Sequence, residues 1–209
     1  MFEIIKPMEI EKRSFEIISG ILEDEGIVLD PETEPVIKRV IHTTADLDYV
    51  KNLVFSEHAV RIGVEALKSG CDIVTDTQMA KAGISKTTLA KLGGEAHCFM
   101  ADEDVAAEAK RRGVTRAAVS MEKAAGLKKP LIFAIGNAPT ALIALDELIK
   151  AGRLAPKLII GVPVGFVNVV ESKELIIASN VPHIVARGRK GGSNVAAAIV
   201  NAMLYQITR

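Results

Sequence analysis

The sequence predicts an α/β fold: a single-domain three-layer sandwich over residues 1–209, with a mostly parallel sheet and helices on both faces. Three observations lead there. Residues 71–75, 131–135, 157–162 and 184–186 are short, largely apolar runs, the pattern of strands buried on both faces. The last three runs are each followed by a glycine-containing loop and then by a stretch of helical length. Repeated strand–loop–helix units imply right-handed crossovers, hence parallel strands covered by helices. No long linker interrupts the chain, which argues for one domain.

Each element follows from local pattern. Residues 9–22 carry Ile10, Phe15, Ile17, Ile18 and Leu22 at helical spacing. Pro31 and Pro35 bracket a second helix start, with Thr33 as its expected cap, and this helix runs to about Thr44. Residues 52–56 read as a short strand, and 57–68 as an amphipathic helix stopped by Gly70. Residues 71–75 and 96–100 read as strands. Asp76 is the simplest cap for a turn of helix over 77–80, although Asp72 and Asp76 also suggest a carboxylate pair. Residues 104–112 and 115–125 are helices divided by Gly113. In the second half, strand 131–135 leads through residues 136–140 to a helix ending near Lys150. Strand 157–162 leads through 163–165 to a helix from about Asn168, and strand 184–186 leads through 187–194 to the last helix, 194–206. That helix is apolar around most of its circumference, so it needs cover on several sides. A homodimer interface and a central core position both supply it.

Composition excludes several classes. Apolar residues make up 49% and charged residues 25%, with 26 cations against 26 anions, so no general field attracts nucleic acid or a membrane. No tryptophan is present and aromatics are 4%, which disfavours base stacking. Cys71 and Cys98 are too few for a disulfide framework or a CxxC site, and read as buried thiols in a reducing compartment. With no signal-type or spanning apolar run, a cytoplasmic protein is expected.

The loop at residues 187–194, R-G-R-K-G-G-S-N, carries the strongest chemical signal. Glycines allow close backbone approach, free N–H groups at a helix start attract anions, and Arg187, Arg189 and Lys190 add charge. In parallel sheets ligands bind beyond the carboxyl ends of the strands. The loops 136–140, 163–165 and 187–194 all belong there and should line one cleft. Asn137 is a candidate cap beside Pro139, with free amides turned to a ligand. No GxxxxGK[ST] or GxGxxG occurs, so nucleotide sites have little support. His58, His97 and His183 form no HxH or HxxxH spacing with one another or with His42, so no metal site is expected. His42 falls nearly opposite Val36, Ile37, Val40 and Ile41 on the helical wheel. It therefore faces water, a cleft or a second subunit, where an imidazole exchanges protons near pH 7.

Taken together, the segments 11–15 (EKRSF), 39–42 (RVIH), 75–79 (TDTQM), 113–116 (GVTR), 134–142 (AIGNAPTAL), 161–167 (GVPVGFV), 171–173 (ESK) and 187–193 (RGRKGGS) resemble the precorrin-8X methylmutase family, in family order over nearly the whole chain. Thr43 and Thr44 depart from the smaller residues expected after the histidine in some relatives. The resemblance implies a homodimeric isomerase of cobalamin biosynthesis. It would move a methyl group from carbon 11 to carbon 12 of a corrin precursor, a formal [1,5]-sigmatropic shift giving hydrogenobyrinate or its cobalt form. It further implies His42 as the catalytic residue, with Ser14, Arg116 and the loop Thr77, Gln78 and Met79 contacting the substrate. A rearrangement of this kind needs no cofactor. The corrinoid carries many carboxylates, and Arg13, Lys86, Arg116, Arg187, Arg189 and Lys190 are suited to pair with them. Asn137, Gly191, Gly192 and Ser193 complete the expected substrate contacts. A non-catalytic corrinoid carrier is the rival reading, and a nucleotide-binding α/β enzyme the weaker third.

Overall fold

The computed structural model describes residues 6–208. A 3₁₀ turn at Pro7–Glu9 leads into α1 (Ile10–Asp24). α2 (Glu34–Thr44) has Pro35 in its first turn, where a missing N–H costs nothing. Thr33 stands at its N-cap position, but the hydroxyl turns back to the Asp30 carbonyl at 3.3 Å and caps nothing. α2 ends on Ala45 in the left-handed conformation. The short α3 (Tyr49–Asn52) runs into β1 (Leu53–Phe55), and α4 (Ala59–Lys68) begins two residues later than its pattern predicts. Then come β2 (Asp72–Thr75), two short helices α5 (Gln78–Gly83) and α6 (Lys86–Lys91), and β3 (Ala96–His97). β3 keeps only two of the five residues expected for it. α7 (Glu103–Arg112) and α8 (Arg116–Ala124) are divided by left-handed Gly113. The regular half follows: β4 (Leu131–Ile135), α9 (Pro139–Lys150), β5 (Leu158–Gly161), α10 (Val169–Ile177), β6 (His183–Ala186) and α11 (Ser193–Thr208).

The six strands form one sheet in the order β1-β6-β5-β4-β2-β3. All neighbours are parallel except β1, which pairs antiparallel with β6 through Leu53–Ala186 and Phe55–Ile184. Alternate strand residues feed two cores, as the period of two requires. Ile132, Ala134, Leu158, Ile160 and Ile184 face α1, α2, α4, α5, α6 and α11. Leu131, Phe133, Ile135, Ile159 and Val185 face α8, α9 and α10, and α7 closes against α8 through Val105, Ala109 and Val119. The expected three layers are therefore present.

α11 resolves its own ambiguity. It packs against α2, α4, α5, α6, β4 and β5 of the same chain. Its Ile199, Val200, Met203 and Leu204 are all fully buried, each contributing about 1.5–3 kcal/mol. Its apolar circumference is a core, and no second subunit is needed to cover it.

The parallel strands are ordered β3-β2-β4-β5-β6, so the chain reverses its direction of travel between β2 and β4. A crevice opens beyond the carboxyl ends of the strands at such a reversal. The segments leaving β2 and β4 flank it, and they carry Asp76, Thr77, Gly136 and Asn137.

Candidate active site

Asp76 holds the floor of this crevice. Its carboxylate accepts hydrogen bonds from the backbone N–H groups of Gly136 (2.9 Å), Asn137 (2.8 Å) and Ala138 (2.6 Å). Burial pushes its carboxyl above the usual range, against the pull of these three donors. This corrects three expectations. Asp76 does not cap its own helix: the Thr77 hydroxyl does, accepting from Ala80 N at 3.0 Å. Asn137 caps nothing, since the N-cap of α9 is Ala138 and Asp76 supplies the acceptor from across the sheet. The amides of 136–138 are thus taken by a carboxylate of the protein itself. Nor do Asp72 and Asp76 form a pair, because they stand at opposite ends of β2. Asp72 bonds His97 (3.1 Å) and Lys129 (3.1 Å) at the far edge.

The three predicted loops do converge. A Cβ on Gly136 would lie 2.7 Å from Cα of Ser193, and one on Gly191 would lie 2.1 Å from the Val162 carbonyl oxygen. Only glycine permits these two approaches. Gly192 N–H donates to that same Val162 oxygen (2.9 Å), Gly165 N–H donates to the Arg189 carbonyl (3.2 Å), and the Thr77 and Ser193 hydroxyls are 2.7 Å apart.

The cations of the glycine loop are not equivalent. Arg187 makes a two-pronged pair with Glu174 of α10 (2.8 and 3.1 Å), bracing the loop within one chain. Lys190 bonds Asp46 and Asp48, both at 2.6 Å. These carboxylates raise the Lys190 pKa, and Lys190 in turn lowers that of Asp46. Arg189 is exposed, sits 5.9 Å from the Phe166 ring centre and has no carboxylate partner among the described residues.

The Lys190 pairs join the loop to the segment that follows α2, the helix that carries His42. His42 and Ser14 line a cavity of about 300 Å³ with Ile17, Ile18, Ile21, Ile41, Ala45 and Leu47. The imidazole stacks on Phe15 at 5.4 Å, and the Arg39 guanidinium lies 4.7 Å from the same ring. Neither imidazole nitrogen has a hydrogen-bond partner among the described residues. The ring is held in place while its polar atoms stay available to a ligand.

Other predicted residues fall at varied distances. Arg13 shares α1 with Ser14 and pairs with Glu16 at 3.5 Å. Gln78 donates weakly to the Cys98 carbonyl (3.4 Å), and Met79 is 71% exposed at the crevice rim. Arg116 opens α8 and lines a shallow hollow with Lys110 and Val114. The hydroxyl of its neighbour Thr115 bonds that of Thr140, placing Arg116 beside the first turn of α9. Lys86 is not brought to the loops: Ser85 N–H bonds Asn201, roughly 12 Å along α11 from Ser193 by the helix rise. Sequence reasoning missed Lys173 as well as the role of Asp76. Lys173 is fully buried, and its ammonium donates to the carbonyls of Gly188 (2.7 Å) and Lys190 (2.8 Å). A lone lysine in an otherwise apolar helix face was the available signal.

A mostly parallel α/β sheet with a direction reversal, a loop cluster at that reversal and a cavity-facing histidine define an enzyme with a small-molecule site. The comparisons with known proteins make this specific. The family model described as precorrin-8X methylmutase matches residues 9–206. The cobalt-precorrin-8 methylmutase of Salmonella typhimurium is 46% identical over 99% of both chains, and that of Priestia megaterium is 44% identical over 95% of this chain and 88% of its own. The precorrin-8X methylmutase of Pseudomonas aeruginosa is 40% identical over 93% of each. A crystal structure of precorrin-8x methyl mutase from Thermus thermophilus superposes with a TM-score of 0.86 at 36% identity, covering 96% of this chain and 98% of that one. The chain belongs to the precorrin-8X methylmutase family. It is an isomerase, one that shifts a methyl group within its substrate in cobalamin biosynthesis.

Proposed function

We propose that the chain moves a methyl group from carbon 11 to carbon 12 of a precorrin-8 type ring, with His42 as the group that donates a proton or hydrogen bond to the macrocycle. One observation carries the assignment of His42. Its ring stacks on Phe15 in an apolar cavity whose Ala45 and Leu47 flank Asp46, a partner of Lys190, yet both nitrogens lack partners among the described residues. A positioned donor of this kind contributes about 10²–10⁴-fold, and holding the ring in the reactive geometry supplies much of the rest. In this reading Arg189, the cation of the loop without a carboxylate partner among the described residues, pairs with a peripheral carboxylate of the ring. Arg13 and Arg116 are the further cations that this reading assigns to the carboxylates. Any cobalt would arrive inside the substrate.

The chain works as a homodimer in this reading. A cavity of about 300 Å³ lies at the lower limit for drug-sized ligands. A macrocycle with a rim of carboxylates exceeds it, so a second copy supplies the remaining cover. The site of action is the cytoplasm, in keeping with the free, buried Cys71 and Cys98; no helix among the described residues is long and apolar enough to cross a membrane.

The test is optical, because methyl migration changes the conjugation of the ring. Wild-type protein is expected to convert metal-free or cobalt-containing precorrin-8, with a change in absorption spectrum. His42→Ala is expected to abolish the change while still binding the ring. Normal turnover by His42→Ala would refute the assignment, and tight binding without turnover by the wild type would indicate a carrier.

A further inference from the structure

We infer that Lys173 is a positioning residue for the reaction: it turns the loop at 187–192 so that the backbone N–H groups of Arg189 and Gly191 face outward as a paired donor for a substrate carboxylate. This rests on the reading of the loop as the carboxylate-binding part of the site.

The Lys173 ammonium holds the carbonyl oxygens of Gly188 and Lys190 at 2.7 and 2.8 Å. No cis peptide bond occurs among the described residues. In a trans peptide the C=O and N–H point in opposite directions. The N–H groups sharing those two peptides belong to Arg189 and Gly191, so both are directed away from Lys173. Neither has a hydrogen-bond partner among the described residues, although their neighbours are committed. Gly192 N–H goes to Val162 O, Arg187 N–H to Asn52 O, and the Arg189 carbonyl receives Gly165 N–H. An outward N–H pair beside an exposed arginine is a donor set for a carboxylate.

Charge points the same way. Lys173 is 0% exposed, and among the described residues no carboxylate lies within ion-pair distance of its ammonium. The carboxylates that pair with the loop are held by its other cations: Glu174 by Arg187, and Asp46 and Asp48 by Lys190. A buried, unneutralised ammonium is costly to keep. Burial lowers its pKa to about 8. Its positive field acts directly behind the two amides. The loop itself depends on glycine at 188, where φ is +82°, and at 191, where a side chain would strike the Val162 carbonyl.

The experiment uses the full-length protein with hydrogenobyrinate, the methyl-shifted product, as probe. In amide-resolved NMR, the Arg189 and Gly191 N–H signals of the wild type are expected to move downfield on saturation. In Lys173→Met, KM is expected to rise roughly tenfold or more while kcat changes less, and Lys173→Arg is expected to recover part of the loss. If the two amides stay unmoved while the His42 ring signals shift, the inference about Lys173 is overturned and the reading of the site survives. If neither shifts, that reading fails as well. Should Lys173→Met not fold, the wild-type amide signals and Lys173→Arg still decide the matter.

Discussion

Asp76 joins β2 to the start of α9, and it does so with a charge. Three N–H donors converge on one buried carboxylate, and charge-assisted bonds of this kind are worth more than neutral ones. Asp76→Asn keeps the shape but offers one acceptor oxygen and sets an NH₂ group against N–H donors. We expect a loss of about 2–4 kcal/mol of stability, read as a lower urea midpoint with an unchanged slope. Lys173 gives a pH signature. Its folded pKa of about 8 lies below the ordinary value of 10.5, so between these values the unfolded chain binds more protons than the folded one. Its contribution is present above about 10.5 and lost as pH falls through about 8. The stability of the wild type relative to Lys173→Met should therefore rise between pH 7.5 and pH 10, and a flat difference would mean that the ammonium is not desolvated. These two residues show where sequence reasoning stops. His42 was legible because a helical wheel is a local calculation. The partners of Asp76 lie sixty and more residues away, and those of Lys173 fifteen and seventeen, distances that no local period encodes.

The strand–loop–helix units were legible because their strands are largely apolar runs with glycine at the ends. β3 was overestimated, because residues 98–100 are apolar without extending the ladder beyond Ala96 and His97. The antiparallel direction of β1 was not encoded locally either, since pairing direction depends on where the chain returns. α11 posed a different problem: an all-round apolar helix reports that cover is needed, and not which chain supplies it. At the loops, the close approaches make a graded prediction. Gly191→Ala drives a Cβ into a backbone oxygen at 2.1 Å, which cannot swing aside. Gly63→Ala meets the Met203 sulfur at 2.4 Å, the end of a flexible side chain able to repack. Thermal unfolding should show the first variant losing clearly more stability than the second, with corrinoid binding impaired only in the first.

At the scale of the whole molecule, the core helix α11 leaves the proposed dimer to be explained by another surface. The rim of the crevice offers one. Phe166 is 85% exposed, Val167 77% and Val164 47%, and Met79 stands across the direction reversal from them. Apolar residues gathered on the loops of one edge mark a site of contact, and two-fold symmetry would set such a rim against its own copy. Phe166 lies against Arg189 of the glycine loop, so a second copy seated there would help to enclose a macrocycle that the cavity of about 300 Å³ leaves open. Phe166→Asp combined with Val167→Asp places two charges in that contact without touching either core. Sedimentation should show a dimer for the wild type and a monomer for the double variant, with unchanged circular dichroism. Turnover should fall with dissociation and return in part at high protein concentration, as mass action requires. A double variant that stays dimeric and active would move the interface elsewhere; a monomeric one with full activity would show that a single chain encloses its substrate unaided.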